Sequence, residues 1–206
     1  YAEGSRQGVA IVAISGHQKS TARNVKIAAV IHHGIDVADI PIGDGAGGYA
    51  CTLGRMTPAK GIREAILVAR EAGVPLRIAA KMREPLERQY FDECVRPLLG
   101  GDIEYVGELN AEEKYQLLGG AFALVNPIQW PEPFGLVMIE ALACGTPVIA
   151  TSCGSAPEII DDGDTGFVRT KMSALADVFS GTEPGIAEEQ LGTKAYYVRA
   201  GLFKDV

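Results

Sequence analysis

The chain has 206 residues, of which 47% are apolar and 22% charged, and its formal net charge is −7. This composition is typical of a globular protein with one full domain and some shorter segments. The negative charge repels phosphate backbones and anionic lipid, and no run of Lys and Arg offsets it, which excludes a general nucleic-acid or membrane-surface role. No apolar stretch approaches the ~20 residues that span a bilayer. No signal peptide opens the chain, so we expect a cytoplasmic protein.

The four cysteines and three histidines are not spaced as metal ligands. No two cysteines form a CxxC pair, and the histidines cannot complete a zinc site. We therefore expect reduced thiols in the core. Position 1 is Tyr rather than Met, which predicts that the chain is part of a longer one.

The first 47 residues predict two strands and a linker. The segments "VAIVAIS" and "AAVIHHGID" are typical of strands, the first of them buried, and "PIGDGAGG" of a Gly-rich linker. Two strands with so little between them cannot bury a core alone. His32 and His33 lie beside Gly34 and Asp36, where this segment meets the compact domain. We interpret them as a hinge or a wall, because a His without a base or nucleophile partner is more often structural than catalytic.

From about residue 49 onward, short apolar runs alternate with amphipathic stretches of helical length. This alternation predicts βαβ units and a parallel sheet. The strands are predicted at residues 49–54, 75–80, 103–107, 121–126, 147–151 and 166–168. The fold is therefore expected to be α/β, with a Rossmann-like doubly wound sheet whose ligands lie at the carboxyl ends of the strands.

Helix starts are marked between these strands. In the first helix Thr57 is the expected cap, Pro58 takes the first helical position, and Gly73 ends the helix. Capping boxes are predicted at Asn110 with Glu113 and at Ser155 with Glu158. After the last strand, one helix around residues 172–179 is predicted, followed by a polar stretch with Tyr196 and Tyr197.

The segment "GRMTPAKG" places two cations at the end of the first strand of this sheet. Arg55 follows Gly54, and Lys60 falls in the first turn of the predicted helix. Two cations beside a helix N-terminus suit a diphosphate. In the alternative interpretation Arg55 and Lys60 are solvated surface charges.

The segment "NPIQWPEPFGLVMIEALACGTPVIA" predicts a stiff loop and then a helix that is apolar on every side except at Glu140. Such a helix should be buried, and a lone carboxylate on it needs partners. Vicinal ribose hydroxyls are suitable donors. The alternative is a core carboxylate that is paired with Arg or Lys.

The loop before this helix carries further candidates. Glu132 is placed to reach a sugar hydroxyl, and the amides at 134–136 point toward whatever binds at the helix start. Trp130 either stacks on a base or sugar or simply packs the loop down. The later segment "GSAPEII" either offers backbone donors to a ligand or only caps a helix.

Together these residues resemble the C-terminal domain of the glycosyl transferases group 1, also called glycosyltransferase family 4, which have the two-domain GT-B fold. The resemblance covers about residues 25–168. It is carried by "VIHHGID", "LGRMTPAKG", "YVGEL", "EPFGLVMIEALACGTPVIA" and "GSAPEIIDDGDTGF".

The resemblance implies a retaining glycosyltransferase of the hexosyltransferase type. Its donor would be a nucleotide-diphosphate sugar and its acceptor the hydroxyl of a sugar, lipid or small molecule, with no cofactor and no metal. Arg55, Lys60 and Glu132 are the implied catalytic residues, the two cations acting on the leaving diphosphate and Glu132 on the sugar. The implied donor-binding residues are Gly54, Phe134, Gly135, Leu136 and Glu140, of which Glu140 would bind the ribose.

Members of this family carry the acceptor site on an N-terminal domain that is comparable in size to the C-terminal one. We expect residues 1–47 to be the remnant of that domain with the interdomain linker, residues 48–170 to be the nucleotide-sugar-binding domain, and residues 171–206 to be a divergent tail. The missing domain is thus an expected partner. Two alternatives stay open: a non-catalytic nucleotide-sugar-binding module, and a sugar-nucleotide epimerase of the same fold. The sequence does not choose among sugars, bases or acceptors.

Overall fold

Strands and helices alternate along the chain, as the sequence predicts. The computed structural model describes residues 2–180. The predicted polar stretch with Tyr196 and Tyr197 lies outside the described residues. The strands are β1 (Ile11–Ala13), β2 (Ile27–Val30), β3 (Ala50–Arg55), β4 (Leu76–Lys81), β5 (Ile103–Gly107), β6 (Ala123–Asn126), β7 (Val148–Thr151) and β8 (Gly166–Arg169). The helices are α1 (Ala2–Arg6), α2 (Gly16–Thr21), α3 (Ile62–Ala72), α4 (Pro85–Tyr90), α5 (Ala111–Gly120), α6 (Leu136–Ala143), α7 (Ala156–Ile159) and α8 (Ser173–Ser180).

Three shorter helical turns lie between these elements. A 3-10 turn at Pro58–Lys60 precedes α3. A π turn at Phe91–Val95 and a 3-10 turn at Arg96–Leu98 follow α4 and lead toward β5.

Strands β3 to β8 form one parallel sheet in the order β5-β4-β3-β6-β7-β8. All six were predicted, with ends within two residues of those observed. The chain builds outward from β3 toward β5 and then returns to β6 on the other side, so the winding reverses between β3 and β6. In doubly wound sheets the crevice at such a reversal, at the carboxyl ends of the strands, is where ligands bind. The predicted α/β fold with a doubly wound sheet is confirmed.

Helices cover both faces of this sheet. On one face α3 and α8 enclose an apolar layer that includes Ile66 and Leu175. On the other face α5, α6 and α7 enclose a second layer that includes Leu118. Successive residues of one strand alternate between the layers, so that Leu124 packs in the second and Val125 in the first. Each such side chain contributes about 1.5–3 kcal/mol by burial. Because both faces of the sheet are covered, each strand stands in the sequence as a short continuous apolar run.

Strands β1 and β2 form a separate two-stranded parallel sheet with α2 between them. The strand predicted in "VAIVAIS" is present as β1. The prediction that it is buried is wrong, because only Ala13 of β1 is buried. Val12 is 48% exposed, and no residue of β2 is buried. The reason is that, within residues 2–180, this small sheet has no second apolar layer to cover it.

The Gly-rich linker packs against the main domain and is not a flexible connection. Its amides at Gly43, Gly45 and Gly47 donate to carbonyls at the C-terminal ends of α6 and α5, at 3.1, 3.1 and 2.9 Å. An ideal Cβ on Gly43 would lie 2.1 Å from the carbonyl oxygen of Gly119. The glycines therefore allow two backbones to approach each other, and the linker is fixed where it enters the domain.

The first predicted helix is interrupted at its start. Gly61, with φ of 69°, separates the 3-10 turn at 58–60 from α3, and Thr57 makes no side-chain capping bond. Lys60 was predicted in the first turn of this helix. It lies instead in the 3-10 turn that precedes α3. A tertiary contact accompanies this interruption, since the carbonyl oxygen of Pro127 would lie 2.0 Å from a Cβ at Gly61. The predicted stop at Gly73 is confirmed.

Of the two predicted capping boxes, the one at Asn110 and Glu113 is confirmed, with bonds of 3.0 and 2.9 Å between side chains and amides. The box at Ser155 and Glu158 is wrong. Ser155 Oγ donates to the carbonyl oxygen of Phe134. The Glu158 carboxylate instead accepts from the first amides of α2, 142 and 141 residues earlier in the chain. Both side chains hold separate segments together instead of capping α7.

The last described helix, α8, confirms the helix predicted around residues 172–179. It packs on α3, β7 and β8, and Leu175 and Val178 are fully buried in that contact. No helix between residues 2 and 180 is long and apolar enough to cross a membrane.

Two glycines at opposite ends of α3 give a matched test of the Pro127 contact. Gly61 and Gly73 have φ of 69° and 68°, but only Gly61 has a neighbour where a Cβ would stand. We expect Gly73→Ala to cost about 1–2 kcal/mol from the left-handed conformation alone. Gly61→Ala should cost clearly more, because Pro127 must also move. Urea denaturation measures both, and equal losses would contradict the role given to this contact.

Candidate functional site

A cleft of about 660 Å³ opens at the carboxyl ends of β3, β4 and β6, beside the first turn of α6. It lies where the winding of the sheet reverses. The structure brings into its wall all eight residues that the sequence analysis singled out as site residues: Gly54, Arg55, Lys60, Glu132, Phe134, Gly135, Leu136 and Glu140. Their individual roles stay predictions.

Arg55, the last residue of β3, is tethered to Glu87 of α4. Its Nε and Nη2 atoms lie 2.8 and 2.6 Å from Glu87 Oε1. The Arg55 side chain is 60% exposed whereas that of Glu87 is only 4% exposed. The pair therefore fixes the guanidinium at the cleft while leaving most of it open to solvent.

Glu87 was missed in the sequence analysis. Its Oε2 accepts hydrogen bonds from the amides of Arg83 and Glu84, at 2.8 and 3.1 Å. These amides, and then Arg55, hold the pKa of the Glu87 carboxyl below its ordinary value. A Glu at the third position after Glu84, with Pro85 between, is the only signal in the sequence, and it marks a helix start without indicating its partner.

Lys60 pairs with Glu132, so the 3-10 turn before α3 is joined to the loop before α6. Trp130 Nε1 donates to the same carboxylate at 2.9 Å, and Lys60 Nζ lies 5.7 Å from the centre of the indole ring. The two side chains of the ion pair are 25% and 12% exposed. Trp130 thus does more than pack the loop down, because it orients Glu132.

Glu140 pairs with Lys114 of α5, with Nζ 2.6 Å from Oε1. This pairing agrees with the alternative interpretation, in which a lysine satisfies the carboxylate. Both side chains also line the cleft, with 24% of Lys114 and 16% of Glu140 exposed. Lys114 was missed in the sequence analysis because nothing in the sequence relates it to a residue on another helix.

Helix α6 is only partly buried, so the prediction that this helix is buried is wrong. Within it Met138 and Ala141 are buried, whereas Leu136 is 46% exposed. Leu136, Val137 and Glu140 line the cleft. Gly135 has φ of 85° and precedes the first turn, in which the Met138 amide donates to the Gly135 carbonyl at 3.0 Å.

The histidine pair lies against this turn. His33 stacks edge-on against Phe134, with ring centres 5.3 Å apart, and also lines the cleft. His32 Nε2 lies 3.6 Å from Glu158. These contacts suit the predicted wall. The segment "GSAPEII", in contrast, contributes no residue to the cleft.

Several cleft residues had not been singled out. Besides Lys114, the polar ones are Lys81, Glu108 and Asn126. Lys81 and Asn126 end strands β4 and β6, so the rule that ligands lie at strand carboxyl ends was the available signal. Glu108 accepts from Arg83 at 2.6 Å, and this contact lowers the pKa of Glu108.

Glu87 leads to a pH-dependent prediction. Because its folded pKa is lowered, its ionised form stabilises the fold fully above the unfolded pKa of about 4.3. That contribution is lost as the pH falls through the folded pKa. We expect Glu87→Gln to lower the free energy of unfolding at neutral pH, and the deficit to shrink on acidification below about pH 4.3. Urea denaturation across this range measures it.

Glu104→Gln is the matched control for this experiment. The Glu104 side chain is 61% exposed and pairs with Arg77 at 3.2 Å on the surface. Exposed pairs contribute only about 0–1 kcal/mol, so this variant should show little deficit at any pH. A Glu87→Gln deficit that stays constant with pH would contradict the prediction.

Comparison with known proteins supports the resemblance noted in the sequence. The family model of the glycosyl transferases group 1 matches residues 44–178. The O-antigen chain mannosyltransferase B of Escherichia coli is 34% identical over 130 residues, which is 59% of this chain and 32% of that protein. The phosphatidyl-myo-inositol mannosyltransferase of Mycolicibacterium smegmatis is 30% identical over 185 residues, 84% of this chain and 46% of that one. The chain thus spans less than half the length of these curated relatives.

Solved structures agree on the fold. AviGT4, a glycosyltransferase involved in avilamycin A biosynthesis, superposes with a TM-score of 0.66 at 26% identity, over 93% of this chain and 57% of that one. Anabaena Alr3699/HepE, solved in complex with UDP and glucose, superposes with a TM-score of 0.72 at 21% identity, over 97% and 60%. The six-stranded parallel sheet with its flanking helices is therefore that of a GT-B glycosyltransferase half. From the family match and the shared fold, the chain belongs to the glycosyl transferases group 1.

Proposed function

We propose that the chain supplies the donor-binding half of a retaining glycosyltransferase. The reaction would move a sugar from a nucleotide-diphosphate donor to an acceptor hydroxyl. The observation that carries this proposal is the cleft itself. Eight residues chosen from two separate stretches of sequence line one cavity, at the strand ends where this class of sheet binds ligands.

In this proposal Arg55 and Lys60 stabilise the leaving diphosphate. As the bond between sugar and phosphate breaks, negative charge grows on the phosphate oxygens, and fixed cations nearby lower the energy of that state. Glu87 and Glu132 already hold the two cations in place. Little side-chain reorganisation is then needed when the donor binds. Since two cations act on the phosphates, the proposal requires no metal.

The two glutamates would bind the polar edges of the donor. Glu132, oriented by Trp130, would accept hydrogen bonds from sugar hydroxyls. The backbone amides at 134–136 would donate hydrogen bonds to the nucleotide sugar beside the first turn of α6. Glu140 holds Lys114 through Oε1. Its other oxygen would accept from the ribose, so the lysine neutralises the carboxylate without blocking it.

The acceptor would bind outside the part of the chain described here, on an N-terminal domain. The shares of 32% and 46% of the curated relatives' length support this. The open apolar surface on β1 and β2, with Val12 48% and Val30 36% exposed, supports a contact with such a domain. The same observation favours the second candidate, a non-catalytic nucleotide-sugar-binding module that works with a separate N-terminal partner.

Calorimetric titration of the chain with UDP, GDP and ADP tests the donor site. We expect one nucleotide to bind, and Arg55→Ala and Glu140→Ala each to weaken that binding more than about tenfold, or 1.4 kcal/mol. The nucleotide that binds also identifies the base of the donor.

Arg96→Ala and Glu104→Ala are the controls, since both remove an exposed charge outside the cleft. Their affinities should match that of the unsubstituted chain. Equal weakening in the controls would indicate a general charge effect, and the absence of binding by a folded chain would refute the donor site. An epimerase would instead convert the bound nucleotide sugar to its epimer without any acceptor.

A further inference from the structure

The side chain of Asn126 is the least expected group in the cleft wall. Asn126 is the last residue of β6 and follows Ala123, Leu124 and Val125, all of which are buried in the apolar layers. It is itself only 5% exposed. Its Nδ2 atom is buried and, among residues 2–180, has no hydrogen-bond partner.

An unpaired buried amide destabilises a fold, because its hydrogen bonds to water are lost and not replaced. An apolar residue of the same size, such as Leu, would suit a strand end buried this deeply. The presence of Asn therefore calls for a reason outside the packing of the core. Such unsatisfied groups are rare in folded proteins and call for an explanation, such as a catalytic role or a bound partner that completes them.

The position of Asn126 indicates what that ligand is. Side chains two residues apart lie on the same face of a strand, so Asn126 shares the face of Leu124, which packs in the layer formed with α6. The first turn of α6 opens into the same cleft. Asn126 thus lies in the wall at the winding reversal, on the side from which the amides after Gly135 and the Glu140 carboxylate approach.

The surroundings of Asn126 are fixed, which suits a binding group. The backbone carbonyl of Asn126 accepts from the Ile128 amide at 2.9 Å. Thr151 Oγ1 donates to the backbone carbonyl of Ile128 at 2.8 Å. The turn after β6 is therefore held to β7. A side chain on such a support loses little further freedom when it binds.

We propose that Asn126 is a substrate-binding residue of this cleft, and that its side-chain amide donates a hydrogen bond to an oxygen of the nucleotide-sugar donor, on either the diphosphate or the sugar. The inference rests on the proposed function, since it requires the donor to occupy this cleft. It adds a neutral donor to a set of groups that is otherwise charged or formed by backbone amides.

Asn126→Leu is the direct test, because it removes the amide and keeps the size of the side chain. We expect the urea midpoint of the ligand-free chain to stay the same or rise, and the affinity for the donor to fall at least tenfold. Titrations would use UDP, GDP and ADP, and the glucose conjugate of each. Asn126→Ala, which adds no bulk, serves as a second variant where the leucine hinders folding.

Thr146→Val is the matched control. Thr146 is also a buried polar residue, but its Oγ1 donates to the Leu118 carbonyl at 2.7 Å, away from the cleft. This variant should lower the urea midpoint and leave the affinity unchanged. Asn126→Leu is thus expected to weaken binding without a loss of stability, and Thr146→Val to lower stability without a loss of affinity.

The outcomes separate this inference from the function on which it rests. Loss of affinity for both the diphosphate and its conjugate places the contacted oxygen on the diphosphate, and loss for the conjugate alone places it on the sugar. Unchanged affinity in both Asn126 variants overturns the inference while donor binding by the unsubstituted chain still stands. A fall in urea midpoint in both Asn126 variants, like that of Thr146→Val, also overturns it, since Asn126 would then be structural. If the unsubstituted chain binds none of the six probes, both proposals fail.

Discussion

The carbonyl of Pro127 comes so close to Gly61 that no side chain fits between them, and the geometry of the cleft depends on this contact. It holds the loop before α6 against the 3-10 turn before α3, and a hydrogen bond of 2.9 Å from the Gln129 amide to the Ala59 carbonyl adds to the attachment. Lys60 and Glu132, 72 residues apart in the chain, meet because these two backbones touch. A backbone contact at a glycine thus determines where a cation and a carboxylate stand.

Charge neutralisation is the second constraint on the cleft. Each charged residue to which we assign a role in donor binding has an opposite charge as its partner: Arg55 with Glu87, Lys60 with Glu132, and Glu140 with Lys114. An isolated charge in a partly buried wall is costly, and pairing reduces that cost. The pairs also hold the side chains in defined positions before a ligand arrives. The cleft is therefore organised in advance for a polar, charged ligand.

The sheet was predictable from sequence because each strand is a short apolar run bounded by Gly, Pro or Asn, and such local patterns are readable. That the eight candidate site residues lie in one cleft was predictable because they cluster in two recognisable motifs. The start of α3 was predicted wrongly because the role of Gly61 depends on Pro127, which is remote in sequence. The same reason accounts for Ser155 and Glu158, whose partners lie on other segments. Glu87, Lys114 and Asn126 were missed because only the folded chain reveals their neighbours.

The ion pairs of the cleft have a consequence for how its sequence can change. Glu87 is 4% exposed, so replacing Arg55 alone would leave a carboxylate buried without its counterion. Replacing one member of any of these pairs is therefore expected to alter folding as well as binding, and the two effects are coupled between partners. Relatives that diverge in donor preference should then change these positions two at a time. For protein engineering, a library that varies Arg55 or Glu140 singly would mostly sample weakened folds, whereas one that varies each residue with its partner would sample new binding sites.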